Sequence, residues 1–237
     1  MKSKELPRDF LKEDLLKELE DTWKSWIFYS STSEQDRTIK RLNLTTNMPV
    51  IIRPSLPEKE FPDMPKILIS VFGLKESIFE CKIEEETNEE ISISLKTSLQ
   101  EYSIITPVVE LYLSVSANLE SLEINSSEKI TMDYQNFIKI LSFVSGGDIK
   151  VRNSFQKGVF KALYGKISIK NDLADDNSIT AFTLTKNIHI SVSTKKVICI
   201  PNKTSKQIHK KLNNTPGNRG TSTITPMSRS GETFIKN

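Results

Sequence analysis

Strict alternation of apolar and polar side chains governs the middle of this chain. Ile91, Ile93 and Leu95 alternate with Ser92, Ser94 and Lys96; Val109, Leu111, Leu113 and Val115 alternate with Glu110, Tyr112 and Ser114. A period of two puts one set on each side of an extended backbone, so both segments read as strands with one buried and one wet face. Apolar runs at 66–72 and 78–83, and further runs at 50–53, 148–152, 159–170, 179–184, 188–192 and 197–200, read as strands on the same grounds. Pro49, Pro54, Pro57, Pro62 and Pro65 break the stretch that contains them, where no helix can form.

Two segments depart from that period. Leu11, Leu15, Leu19, Trp23 and Ile27 recur every four residues, with Leu16 and Trp26 widening the stripe and Asp9 placed to cap it after Pro7. This spacing predicts an amphipathic helix over 9–28 that packs on the domain or on a second copy. Tyr134, Phe137, Ile138, Leu141 and Val144 fall on one helical face, between a capping Thr131 and the Gly146-Gly147 pair, and predict a second helix over 131–145. Beyond Pro201 the periodicity disappears into Asn, Thr, Ser, Gly, Lys and Arg, which predicts a disordered tail. The expected organisation is an N-terminal helix and polar loop over 1–48, a β-rich core over 49–200 carrying the inserted helix, and a basic tail over 201–237. The fold class is mainly β, a sandwich or jelly-roll-like domain with flanking helices.

Charge is unevenly placed. The whole chain carries 33 Lys and Arg against 30 Asp and Glu, a net charge of +3, yet the segment from Pro201 holds seven bases and a single acid, Glu232. The body is therefore mildly acidic and the tail basic, which points the tail at a polyanion. Thr215-Pro216 and Thr225-Pro226 are proline-directed phosphorylation candidates that would weaken such binding. Cys81 and Cys199 are too few for a disulfide framework, no apolar run reaches the length of a membrane span, and the N-terminus has no apolar signal core. The expectation is a protein that is not secreted, with both thiols reduced.

The residues for familiar catalysis are missing. His189 and His209 are the only histidines, and no metal-binding Cys or His pair, nucleophile elbow or phosphate-binding glycine loop occurs. The chain reads as a non-enzyme with no cofactor, no metal and no small-molecule substrate. What remains is a run of cations, Lys150, Arg152, Lys157 and Lys161, interleaved with Phe155, Phe160 and Tyr164, together with Lys203, Lys206, Lys210 and Lys211 in the tail. Cations neutralise phosphates and aromatic faces stack on bases, so these eight basic residues are the candidate nucleic-acid-binding set.

The alternating segment Ile91-Ser92-Ile93-Ser94-Leu95-Lys96-Thr97, the stretch Thr131-Met132-Asp133 with the expected helix that follows it, and the runs 149–155 and 166–171 together resemble the 30K superfamily of plant-virus movement proteins. Thr97 stands where that family's signature has Asp, and Ser154 where it has Gly, so those roles are not carried over. The resemblance implies a jelly-roll-like core, sequence-independent binding of single-stranded RNA and self-association. It also implies peripheral membrane or cell-wall channel contact, and residence in host cytoplasm and plasmodesmata. A matrix-type structural protein of a negative-strand RNA virus is the alternative, through a slight likeness of 137–150 to rhabdovirus matrix proteins.

Overall fold

The structure, a computed structural model, describes residues 24–31, 39–55, 65–73, 79–87, 89–98, 106–200, 207–211 and 220–237. These residues form two sheets, A with ten strands and B with nine. The chain shuttles between them. It passes from sheet B to sheet A as β2 (Arg41–Thr46) gives way to β3 (Val50–Pro54), and again from β6 (Glu90–Thr97) to β7 (Val108–Leu113). The same step joins β8 (Ser121–Ser126) to β9 (Ile130–Asp133), β10 (Ile138–Ser145) to β11 (Ile149–Asn153), and β12 (Phe155–Ala162) to β13 (Ile167–Asn171). It recurs from β14 (Asn177–Thr183) to β15 (Ile188–Val192), β16 (Lys196–Cys199) to β17 (Ile208–Lys211), and β18 (Thr221–Ser228) to β19 (Thr233–Lys236). Each such pair is one coil, and neighbouring coils pair in parallel, strand on strand, in both sheets. The molecule is thus a two-sheet parallel β-solenoid. Three strands, β1 (Lys24–Ser30), β4 (Ile67–Gly73) and β5 (Phe79–Glu86), pair antiparallel at one end: β4 and β1 extend sheet A beyond β7, and β5 extends sheet B beyond β6.

Coils do not stack wholly in chain order. The β2–β3 coil lies between β6–β7 and β8–β9, and the β18–β19 coil lies between β14–β15 and β16–β17. The chain's last coil is therefore an internal layer of the stack. Both sheets turn their alternate residues inward to a shared core of Ile, Leu, Val and Phe, including the fully buried Leu42, Ile52, Leu122, Leu141 and Ile167. Burial of each such side chain contributes about 1.5–3 kcal/mol. Phe143, Phe155 and Phe160 meet edge to face at 5.6–5.7 Å between ring centres, and Gly158 leaves room for two of them.

Buried polar side chains hold the corners. Thr46, Ser126, Ser145, Thr183 and Ser228 occupy equivalent inward positions at the ends of sheet-B strands. Each bonds corner backbone rather than another side chain. The Ser126 hydroxyl donates to the Met48 carbonyl of the neighbouring coil at 2.7 Å and accepts from the Glu128 amide at 3.0 Å. Ser145 donates to the Glu128 carbonyl, again in a neighbouring coil, and Thr183 to the Gly165 carbonyl at 2.9 Å. At the ends of sheet-A strands Asn153 and Asn171 do the same work. The Asn153 amide donates to the Tyr134 and Asn136 carbonyls at 2.6 and 2.8 Å, and the Asn171 amide donates to the Phe155 carbonyl at 3.0 Å. A corner carbonyl without such a donor would be buried unpaired, at a cost of about 1–3 kcal/mol.

This architecture corrects the expected fold class. The described residues contain no α-helix; their one helical element is a 3-10 turn, Val115–Ala117. The expected helix over 131–145 is β9 and β10. Ile138 and Leu141 both point inward with Lys139 and Ile140 outward between them, and that local irregularity imitates the three-residue step of a helix. Leu141, Phe143 and Ser145 then alternate as a strand should. Of the expected helix over 9–28, residues 9–23 lie outside the described residues. Its last part is β1, where the Trp26 indole donates to the Gly73 carbonyl at 3.3 Å. The tail expected to be disordered supplies β17, β18 and β19. The core is built of parallel coils rather than the antiparallel hairpins of a jelly roll.

Segment Thr221–Ser228 escaped notice because its inward residues are small and polar except Ile224 and Pro226. Ser222 bonds Asn177 and Thr194 at 2.8 and 2.7 Å, so this layer is held by a buried hydroxyl chain as much as by apolar contact. Pro226 is tolerated inside the sheet for a local reason. The Ile224 carbonyl accepts from the Ile200 amide at 2.9 Å, and two residues on Pro226 faces the same side, past the end of β16. Its missing N–H therefore costs no ladder bond.

Removing residues 201–237 is expected to abolish the cooperative thermal transition seen by far-UV circular dichroism, because β14 and β15 would each lose a paired neighbour and the core would lose Ile224 and Ile235. A transition left within a few degrees of the full chain's would refute this placement of the last coil. A second expectation concerns close approach between coils. A Cβ on Gly165 would lie 2.1 Å from the Gly147 carbonyl oxygen, whereas one on Gly147 would lie 3.2 Å from its nearest neighbour. Gly165→Ala should cost about 1–3 kcal/mol in urea denaturation, and Gly147→Ala clearly less.

Candidate nucleic-acid interface

Parallel register fixes which side chains meet on the outside of sheet A. One outward row crosses the coils as Thr131, Lys150, Ser168, His189, Phe234 and His209. The next row, two residues further along each strand, runs Asp133, Arg152, Lys170, Ser191, Lys236 and Lys211. Strands lie about 4.8 Å apart, so cations on adjacent coils are held at nearly that pitch at their base.

In the first row the rings stack. His189 and Phe234 have centroids 4.8 Å apart and planes within 9°, and Phe234 and His209 have centroids 4.9 Å apart and planes within 12°. One ring per strand at the sheet spacing makes a continuous aromatic ladder, and the in-register pairing of β15, β19 and β17 is what aligns it. A groove of about 580 Å³ runs along it, lined among others by Ser168, Lys170, His189, Phe234, Lys236 and Lys211. Lys170 Nζ lies 3.2 Å and Arg152 Nε 3.8 Å from the two oxygens of Asp172, and His209 Nε2 lies 3.6 Å from Glu232. All of these groups are more than a third exposed, so the pairs position the cations without adding much stability. No described acid lies within ion-pair distance of Lys150, Lys211 or Lys236.

The structure divides the candidate set. Lys150 and Arg152 stand on β11, outward on sheet A, and Lys211 joins their face from β17. Lys157 and Lys161 stand on β12 and face outward from sheet B, beside Ile140 and Val144. The two halves of the cluster therefore lie on opposite faces. Phe155 and Phe160 are core residues, wholly buried, while Tyr164 is 68% exposed at the corner after β12. Lys210 pairs in register with inward Ile235 and sits near Cys199, where its charge opposes the burial that pushes that thiol's pKa up. Lys203 and Lys206 lie outside the described residues.

Sequence reasoning missed Ser168, Lys170, His189, Phe234 and Lys236 as members of one surface. The signal that would have found them is a repeat of roughly twenty residues, visible in the pairs Leu122 and Leu141, Ser126 and Ser145, and Ile130 and Ile149. Cys81 and Cys199 stand on β5 and β16, the two outermost strands of sheet B, and burial raises the pKa of both thiols. Among the described residues no three His, Cys, Asp or Glu side chains gather in a way that could hold a metal ion.

No protein-family model and no curated protein matches the chain. Among solved structures, a Clostridium sporogenes protein described as a "putative cell adhesion protein" aligns at 9% identity over 90% of this chain and 99% of its own, with a TM-score of 0.47. A Bacteroides fragilis protein described as a "putative adhesin" aligns at 11% identity over 91% of this chain and 96% of its own, also with a TM-score of 0.47. At that similarity neither bears on what this chain does.

Proposed function

We propose that this protein is a non-enzymatic binding module that takes a linear polyanion, single-stranded RNA, along the outer face of sheet A. The observation that carries the reading is the in-register row Arg152, Lys170, Lys236 and Lys211, flanked by Lys150 and by the His189–Phe234–His209 ladder. Cations repeated along a flat face neutralise successive phosphates without regard to sequence, and the energy comes from released counterions. Lys211 and Lys236 sit side by side on neighbouring strands, where like charges repel; an anion laid across them relieves that repulsion. Binding to phosphates in this way needs no cofactor and no bond made or broken. The transport role that the movement-protein resemblance implied presupposed a jelly-roll-like core, so the proposal stops at nucleic-acid binding.

The split between faces supplies the test. Fluorescence anisotropy of a labelled oligonucleotide, titrated at several salt concentrations, should give a log–log slope reflecting about 0.7 per phosphate neutralised on a single strand. Replacing Lys150, Arg152, Lys170, Lys211 and Lys236 by Ala should flatten that slope and weaken binding at low salt. Replacing Lys157 and Lys161, on sheet B, should leave the slope within error. Equal loss from both sets would mean diffuse attraction rather than a face, and no binding at low salt would end the proposal.

A further inference from the structure

The aromatic ladder stops one strand short of Lys150. In its row the residue between Lys150 on β11 and His189 on β15 is Ser168, whose side chain is a single hydroxyl. His189 is exposed and stacks on Phe234 with one ring face; its other face looks across Ser168. Two strand spacings, about 9.6 Å, separate the Lys150 and His189 backbones there. The result is a gap one rung wide, floored by Ser168, with an imidazole on one side and, one strand beyond Ser168 on the other, the register position of Lys150. Lys170 stands next to it in the cation row, and the groove along the ladder opens onto it.

Resting on the polyanion reading above, we propose that this slot receives one unstacked nucleobase of the bound strand, which continues the His189–Phe234–His209 ladder by one ring. A planar ring seated over Ser168 meets the imidazole face at the rung spacing the protein already uses for its own rings. The Ser168 hydroxyl can donate or accept, so it suits any base edge and imposes little sequence preference. Lys150 and Lys170 flank the slot, where the phosphates on either side of that nucleotide would lie. A base paired in a duplex has both faces covered and cannot enter, so the slot selects single strands. A sulfated polysaccharide would meet the cations equally well but has no flat ring to stack.

The test separates base from backbone. The full chain is titrated with a single-stranded oligonucleotide carrying 2-aminopurine, with an abasic oligonucleotide of the same length and charge, and with the matching duplex. Stacking at one position should favour the base-bearing strand over the abasic one by about tenfold and quench 2-aminopurine on binding. Ser168→Phe, which fills the slot, and His189→Ala, which removes its wall, should each bring affinity down to the abasic level with the salt slope unchanged. Two variants with opposite changes of volume guard against a folding defect in either, and each is checked by its thermal transition. Equal binding of base-bearing and abasic strands by the unmodified protein overturns the slot while leaving the polyanion reading intact. Tighter binding of the duplex, or of heparin, than of the single strand also overturns it. Absence of binding to every one of these anions overturns the polyanion reading itself.

Discussion

The parallel, in-register hydrogen bonding between successive coils is the constraint on which the remaining structure depends. It makes a residue's place within its coil decide both its depth and its neighbours. Ile130, Ile149, Ile167 and Ile188 succeed one another in register along the core, and Lys150, Ser168, His189 and Phe234 do so along the outside. A slip of one residue in any coil would exchange inside for outside throughout that layer. Buried corner residues such as Ser126, Ser145, Thr183 and Asn153 oppose such a slip, since each bonds a carbonyl of a neighbouring coil that only the correct register brings within reach. Hydrogen bonds of this kind contribute modestly one by one, but leaving them unmade is expensive in a dry corner, so they act mainly on specificity.

The ends of the stack are treated differently. At one end three antiparallel strands, β1, β4 and β5, lie beyond the first parallel coil, and the Phe28 and Phe79 rings meet edge to face at 5.8 Å between the two sheets there. At the other end β16 and β17 are the outermost described strands, with Ile198 and Ile200 substantially exposed. Placing the β18–β19 coil inside them means that the chain's last residues are clamped on both sides, which explains how a segment so poor in large apolar residues holds an extended structure.

The two outer faces have different chemistry because coils contribute independently to each. Sheet A collects Lys150, Arg152, Lys170, Lys236 and Lys211 around stacked rings. Sheet B presents Val144, Val159, Phe182 and Met227, with Lys157 and Lys161 among them, beside a threonine-rich strip from β18. Arg152 and Lys170 share Asp172, but Lys211 and Lys236, side by side with no described acid in ion-pair distance, are a cost to the isolated fold, and such local departures from an otherwise self-consistent sequence are expected where binding occurs. A ladder of rings in the same place adds a second, geometrically independent feature that suits a ligand with both charge and flat surface.

How much of this was legible beforehand varies by residue. The alternation at 91–96 and 109–114 depends only on the geometry of an extended backbone, so these residues announce β6 and β7 without help from the rest of the chain. The deficit of catalytic side chains and the basic character of the last segment are likewise properties of the sequence alone. The sequence did not show that 131–145 is extended, because a local irregularity at Lys139 and Ile140 reproduces helical spacing and only pairing with β8 and β12 decides between the two. It gave no sign that 221–236 is ordered, because the stabilisation of β18 and β19 comes from neighbouring coils far away in the chain. The site lies furthest from the sequence. Lys157 is close to Arg152 in the chain and on the opposite face in space. Lys170, Lys236 and Lys211 are scattered along the chain and share one row. Side chains brought together by stacking register are determined by which coil sits on which, and that is a property of tertiary structure.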